Sequence, residues 1–422
     1  MPNKFKPKSE FNKNVLTLMT GTTIAQAIPI AISPILTRIY TPEDFGVLAL
    51  FVAITSIFGS IANGRYELAI MLPKKDEDAI NIFALGFIIT LAISLVLLIL
   101  VILFNSYFVK LLNNKEIGLW LYFVPVAVSF IGFYNLLNYF NNRKNNYKDI
   151  ARATIIKSII LAIVQLSIGL IKNGASGLIS GQIVSNLFAN MRLFKNIVKD
   201  KVLISNISKL KIIALAKRYK DFPKFSMWAV LANTLSQHLT NILISSFFSV
   251  STLGFYSLVQ RILGVPSALI GNSIGQVFFQ QATKEKQQTG KAINTFNSTV
   301  KKLIIIGLPS FGILFFIIED LFVFIFGYEW KIAGEYGQII IPLFFIRFVS
   351  STVSNINIVF EKQKIGLYIN ILLMVSCVVT IYISNFLNLN FFNFLFLLST
   401  ILTLEYIMFL YYYFNLSRGI LR

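Results

Sequence analysis

The chain has 422 residues, 56% of them hydrophobic and only 13% charged, about half the charge of a soluble globular domain. Its apolar residues gather into runs of about 20, the length a helix needs to cross about 30 Å of hydrocarbon. That excludes a soluble fold, and segments such as 82–104 and 365–387 do not alternate as barrel strands would.

In chain order the pattern predicts an all-α integral membrane protein of about twelve transmembrane helices. They cover 14–38, 45–72, 79–104, 117–140, 150–171, 175–194, 222–248, 252–280, 297–318, 337–360, 365–387 and 391–414. Lys4, Lys6, Lys8 and Lys13 precede or open the first, and Ala25-Gln26-Ala27 mimics a cleavage site. The stretch 15–24 is too rich in threonine for a signal core, so the first helix reads as uncleaved. The net charge of +20 sits mainly in alternate short loops, as the positive-inside rule requires, and needs no nucleic-acid partner. An even number of spans then puts both termini in the cytoplasm of a bacterial inner-membrane protein. The basic stretches 143–157 and 192–224 read as cytoplasmic loops, and the outer loops are short. Cys377, the single cysteine, lies in an apolar run and offers no disulfide or thiolate metal site.

The stretch 192–224 divides the chain into lobes 1–210 and 211–422. Pairing Gly46 with Gly254 aligns 34–51 with 242–259, each holding an apolar helix, a polar break, a glycine and a second helix. Two pseudo-symmetric six-helix lobes around a central cavity are the expectation, with the substrate path where the halves meet.

Polar stripes within the spans point the same way. Thr22, Gln26, Pro29, Ser33 and Thr37 share a face of the first helix; Ser56, Ser60, Asn63 and Glu67 share one of the second. Ser226, Asn233, Gln237 and Thr240 do so in the seventh. The alternative is hydrogen bonding between helices, about 0.6 kcal/mol per pair; stripes in matching helices of both halves favour a hydrated cavity.

Three arginines lie inside spans. Arg65 is about 10 Å from the cytoplasmic end of the second helix and Arg261 about 12 Å from the periplasmic end of the eighth. Arg347 is near the middle of the tenth, beside Ser350, Ser351 and Ser354. Burial there costs at least about 2.5–3.5 kcal/mol, and a guanidinium fork suits phosphate oxygens. An anionic cargo follows, with pairing to Glu67 or Glu405 or snorkelling as the structural alternative. On a straight helix Arg65 and Glu67 stand about 200° apart, so they are not expected to pair with each other. Around Arg261, the residues Ser257, Gly264, Ala268, Gly271 and Gly275 would leave room beside the guanidinium. Gly177–Gly181 and Gly271–Gly275 have GxxxG spacing, which also fits helix packing. His238, the one histidine, reads as a structural or cavity-wall residue. No catalytic or metal-ligating constellation emerges, and no cofactor is expected. Coupling to a proton or sodium gradient is left unassigned.

The segments 36–51 (LTRIYTPEDFGVLALF) and 63–73 (NGRYELAIMLP) resemble the Wzx-type polysaccharide flippases of the multidrug/oligosaccharidyl-lipid/polysaccharide exporter superfamily. The resemblance implies that a polyprenyl-pyrophosphate-linked oligosaccharide, such as an O-antigen or lipopolysaccharide repeat unit, crosses to the periplasmic leaflet by alternating access. Membrane lipids and other polysaccharide-assembly proteins are the further partners. Arg65 and Glu67 fall inside the matched segment, whereas Arg261 and Arg347 rest on placement alone. The expected substrate contacts are Arg65, Arg261, Arg347, Asn63 and Glu67, with Thr22, Gln26, Asn233 and Gln237 along the sugar path. The rival readings are an ion-coupled exporter of small amphipathic compounds and a membrane-embedded glycan polymerase or transferase.

Overall fold

A computed structural model of the chain describes residues 10–420; Lys4, Lys6 and Lys8 lie outside the described residues, as do the side chains of 10–16, 201, 268, 269, 272 and 363. Among the described residues every regular element is helical. The first expected span is two helices, α1 (Glu10–Ala31) and α2 (Ser33–Ile39). Ser33 and Thr37 donate to the carbonyls of Pro29 and Pro34 at 2.7 and 3.1 Å and are buried. That removes them from the open face their spacing suggested.

The next helix, α3 (Pro42–Ile61), begins on a reciprocal cap. Asp44 N–H donates to Thr41 Oγ1 at 3.3 Å, and Thr41 N–H donates to Asp44 Oδ2 at 2.9 Å. Pro42 stands in the first turn, where the N–H it lacks would have had no partner within the helix. Tyr40, just before the cap, donates its hydroxyl to Gln165 O at 2.6 Å. It fits because Gly169 and Gly177 lack side chains: a Cβ would lie 2.5 and 2.0 Å from that hydroxyl. The residues Tyr40-Thr41-Pro42-Glu43-Asp44 therefore set where the second span starts and what it leans on.

After a break come α4 (Tyr66–Ala69), α5 (Asp76–Leu111), α6 (Ile117–Leu121), α7 (Val124–Arg143), α8 (Tyr147–Gly169) and α9 (Ser176–Val198). A core of Ile70, Ile80, Phe83, Leu136, Phe140 and Leu193 joins these helices. On the opposite side of α5, Ile88, Leu91, Leu95, Ile99 and Ile102 are each about half exposed. An uncovered apolar stripe of this length is suited to hydrocarbon rather than water.

The basic stretch 192–224, expected as a loop, instead holds the end of α9 and two short helices, α10 (Lys201–Ser205) and α11 (Lys209–Arg218). The reason is amphipathicity: Leu203 and Leu215 are buried in the core while Lys209, Lys217 and Arg218 stay exposed. Asn81, fully buried, donates to Asn206 O at 3.0 Å and accepts from Ser208 N at 2.8 Å. Tyr66 donates to Ala216 O at 3.1 Å.

A π-helical turn (Phe222–Ser226) leads into α12 (Met227–Phe247), then α13 (Val250–Leu263), a second π turn (Ser267–Gly271) and α14 (Asn272–Thr289). The chain ends with α15 (Ile293–Phe326), α16 (Lys331–Val353), α17 (Ile356–Val359), α18 (Gln363–Phe386) and α19 (Phe391–Ser417). Each of the twelve expected spans thus has a helical counterpart. Among the described residues, eight helical stretches are long and apolar enough to cross a membrane by length and composition. The remaining counterparts, α7, α9, α12 and α13–α14, are rich in Asn, Gln and Ser. Contacts group the chain into two units, Met1–Thr234 and Leu235–Arg422.

Candidate functional site

The second expected span is not one helix. After Ile61 the backbone tightens, with Gly64 N–H bonded to Ile61 O at 2.9 Å, and both Gly64 and Arg65 turn left-handed, with φ of +57° and +65°. Glycine adopts that conformation freely and arginine rarely does. Asn63 holds the break in place: its Nδ2 donates to Thr90 Oγ1 at 2.7 Å and to Gly132 O at 3.0 Å. With 2% of its surface exposed, Asn63 fastens α3 to α5 and α7 and does not face open space.

The break overturns the expectation that Arg65 and Glu67 stay apart. Arg65 Nη1 donates to Glu67 Oε1 at 3.0 Å, because the left-handed turn replaces the rotation a straight helix would impose. Glu67 is 3% exposed, and its second oxygen has no hydrogen-bond partner. It holds Arg65 from behind and is not itself open to a ligand. The Arg65 side chain remains 22% exposed, and its Nε reaches Ser226 Oγ on the first π turn at 3.5 Å. Arg65, which belonged to no stripe, and Ser226, placed in the stripe of the seventh helix, are therefore neighbours.

Leu235–Arg422 encloses a cavity of about 460 Å³, lined by Gln237, Thr240, Gln260, Arg347, Asn370 and Tyr406, with Ser350, Ser351 and Ser354 beside them. Arg347 is exposed into it, with its guanidinium 5.7 Å from the Phe344 ring centroid. Among the described residues no carboxylate pairs with it. Glu405, the alternative partner, accepts instead from Ser376 Oγ, and its other oxygen is buried without a partner. Gln237 is exposed on the same cavity wall, and Cys377 also contributes to it.

Met1–Thr234 has its own cavity, of about 390 Å³, and its charge went unnoticed in the sequence. Ser56 and Ser60 line it, as their stripe suggested, together with Asn135, Gln182, Asn186 and Lys157. Lys157, grouped with the cytoplasmic stretch 143–157 on charge alone, stands ten residues into α8, about 15 Å from its start. The signal was present: 147–169 is apolar around Lys157, so this lysine belonged with the three intramembrane arginines.

The other expected contacts are dispersed. Thr22 is exposed and Gln26 half-buried on α1, Asn233 is half-buried on α12, and Arg261 is half-buried in the last turn of α13. Arg261 is not among the residues lining the 460 Å³ cavity. Two of the small residues expected to give it room, Gly271 and Gly275, lie against Thr352 instead. The second π turn interrupts the helical register, and a Cβ at Gly271 or Gly275 would meet Thr352 at 3.0 or 3.2 Å. These glycines pack the end of the π turn and the start of α14 against α16. Gly181 likewise approaches Gln165, where a Cβ would meet its Cγ at 2.7 Å.

Comparison with known proteins adds three findings. A family model described as "Polysaccharide biosynthesis protein" matches residues 35–334. The succinoglycan biosynthesis transport protein ExoT of Rhizobium meliloti (strain 1021) is 22% identical over 310 residues, 71% of this chain and 59% of the relative. This chain thus spans about six-tenths of that relative's length. Among solved structures, the lipid II flippase MurJ in an inward closed conformation superposes with a TM-score of 0.69 at 13% identity, covering 96% of this chain and 89% of the other. An inward-facing multidrug resistance MATE family transporter of the MOP superfamily gives 0.68 at 11% identity, covering 95% and 94%. At such identities the likeness is one of fold: the twelve-helix, two-lobe architecture of these transporters.

Proposed function

The chain belongs to the polysaccharide biosynthesis protein family, and from that premise we propose that it moves a polyprenyl-pyrophosphate-linked oligosaccharide from the cytoplasmic to the periplasmic leaflet. The observation that carries the reading is Arg347. A guanidinium exposed to a polar cavity, with no carboxylate paired to it among the described residues, suits a phosphorylated cargo. In this reading Arg347 engages the pyrophosphate, and Arg65, preset by Glu67, and Arg261 are further proposed contacts of the cargo. Thr22, Gln26, Asn233 and Gln237 line the path of the sugars. The halves 1–210 and 211–422 alternate in access while the lipid tail stays in the bilayer, and both termini are cytoplasmic. An O-antigen-type repeat unit is the proposed cargo. Cationic amphiphiles, the cargo of the rival exporter reading, would be repelled by the same arginine.

The test is deletion of the gene with complementation, following lipid-linked repeat units on each face of the inner membrane. Wild type should restore their appearance on the periplasmic face. Arg347→Ala should reach the membrane at normal abundance and leave them on the cytoplasmic face; full rescue by that variant would remove Arg347 from the mechanism.

A further inference from the structure

We propose that the 390 Å³ cavity of Met1–Thr234 binds an anionic sugar, with the Lys157 ammonium on its charge and Asn186 on a ring hydroxyl. The proposal rests on the transport reading above and assigns a ligand to a cavity that reading leaves empty of a role. Four observations converge. Lys157 lies on the cavity wall, and among the described residues no carboxylate pairs with it. Its recorded contact is the face of Tyr134, 5.2 Å from Nζ to the ring centroid. Such a contact offsets only part of the cost of placing a lysine at a helix centre. A basic side chain is therefore held on the cavity wall with no carboxylate to complete it among the described residues.

Asn186 supplies the second half of the site. It is 5% exposed, its Nδ2 donates to Gln182 O at 2.8 Å, and its Oδ1 is buried with no hydrogen-bond partner. The atom left over is an acceptor, which asks for a donor such as a hydroxyl. The remaining wall mixes the polar side chains of Ser56, Ser60 and Asn135 with apolar Phe51 and Ile131, and among the described residues no Asp or Glu lines it. The volume falls within the roughly 300–1,000 Å³ of small-molecule sites. A ligand offering hydroxyl donors and one negative charge is a sugar bearing a carboxylate or a phosphate. The first would come from an acidic residue of the glycan, the second from the linkage to the lipid.

Purified full-length protein in nanodiscs would be titrated with three probes: a neutral glucose tetrasaccharide, the same saccharide ending in glucuronate, and glucose 1-phosphate. Binding of either charged probe in preference to the neutral one is expected, and which of the two binds identifies the source of the charge. Lys157→Met should weaken the charged probe about tenfold or more and leave the neutral probe unchanged. Lys157→Arg should retain most of the preference. Asn186→Leu should weaken charged and neutral probes alike. Equal binding of charged and neutral probes, no binding of any, or a preference that survives Lys157→Met overturns the site. Wild-type protein that restores export in the complementation assay but binds none of the probes loses this site and keeps the transport reading. Failure to restore export removes that reading whatever the probes do.

Discussion

Arg65 and Glu67 form an ion pair at 3.0 Å although they are two residues apart in sequence, because the chain leaves the helix at Gly64 and Arg65. Removing Arg65 strands a carboxylate that is 3% exposed, and Arg65→Ala should cost about 1–3 kcal/mol of stability. Glu67→Gln keeps the shape and an acceptor for Arg65, so it should cost less. A double-mutant cycle read by denaturant unfolding should give a coupling of about 0.5–3 kcal/mol. A coupling near zero would show that the pair does not hold the turn.

Tyr40 and Gly177 make a second close relationship. A Cβ at Gly177 would lie 2.0 Å from the Tyr40 hydroxyl, so Gly177→Ala should destabilise by about 1–3 kcal/mol through overpacking. Tyr40→Phe removes the obstructing oxygen and one hydrogen bond to Gln165, a loss of about 1 kcal/mol. Combined, the two changes should cost less than their sum. Thermal unfolding of all four proteins checks this, and strict additivity would contradict the contact.

Arg347 should behave in the opposite manner to Arg65. It is exposed into its cavity and none of the described residues pairs with it through a carboxylate, so Arg347→Gln should leave the unfolding temperature within a degree or so while export falls about tenfold or more. Arg347→Lys keeps the charge and loses the fork, and should give an intermediate rate. Measuring export and unfolding on the same preparations separates the two effects; a large loss of stability would mean that Arg347 is structural.

Glu285 gives a pH prediction outside the spans. Its carboxylate accepts from Asn294 and Thr295 N–H at 3.0 and 2.8 Å, where α15 begins. Partial burial opposes ionisation, but these hydrogen bonds outweigh it and hold the carboxyl below its ordinary value. A lowered folded value means the stabilisation is present above pH about 4.5 and is lost as the pH falls through the folded value. Unfolding followed from pH 6 down to about pH 3 should show this loss in wild type and a flatter profile in Glu285→Gln.

The all-helical class and the most apolar spans were legible in the sequence because a run of about 20 apolar residues is a strong, local signal. Local breaks were harder. Periodicity carried the second helix through Asn63-Gly64-Arg65, whose turn depends on Thr90 and Gly132, partners 27 and 69 residues away. The eighth helix likewise hid a π turn that changes which residues share a face, which is why Gly271 and Gly275 contact Thr352 rather than make space for Arg261. For the candidate site, Arg347 with its serines and Gln237 were readable from spacing on single helices. Lys157 was missed because a basic residue near a basic loop looks like topology, and only depth along α8 distinguishes it. The helices α10 and α11 were missed for a related reason: their charge outweighed two buried leucines.

The latch of Tyr40 against Gly169 and Gly177, followed by the Thr41–Asp44 cap, has a consequence for how proteins of this kind diversify. The most recognisable stretch of the chain is scaffolding, and its chemistry is blind to what passes through. Relatives could keep it unaltered and still handle unlike saccharides. On the proposed function, changing the cargo of such a protein would mean grafting the walls around Lys157 and Arg347 while leaving 40–46 as it stands.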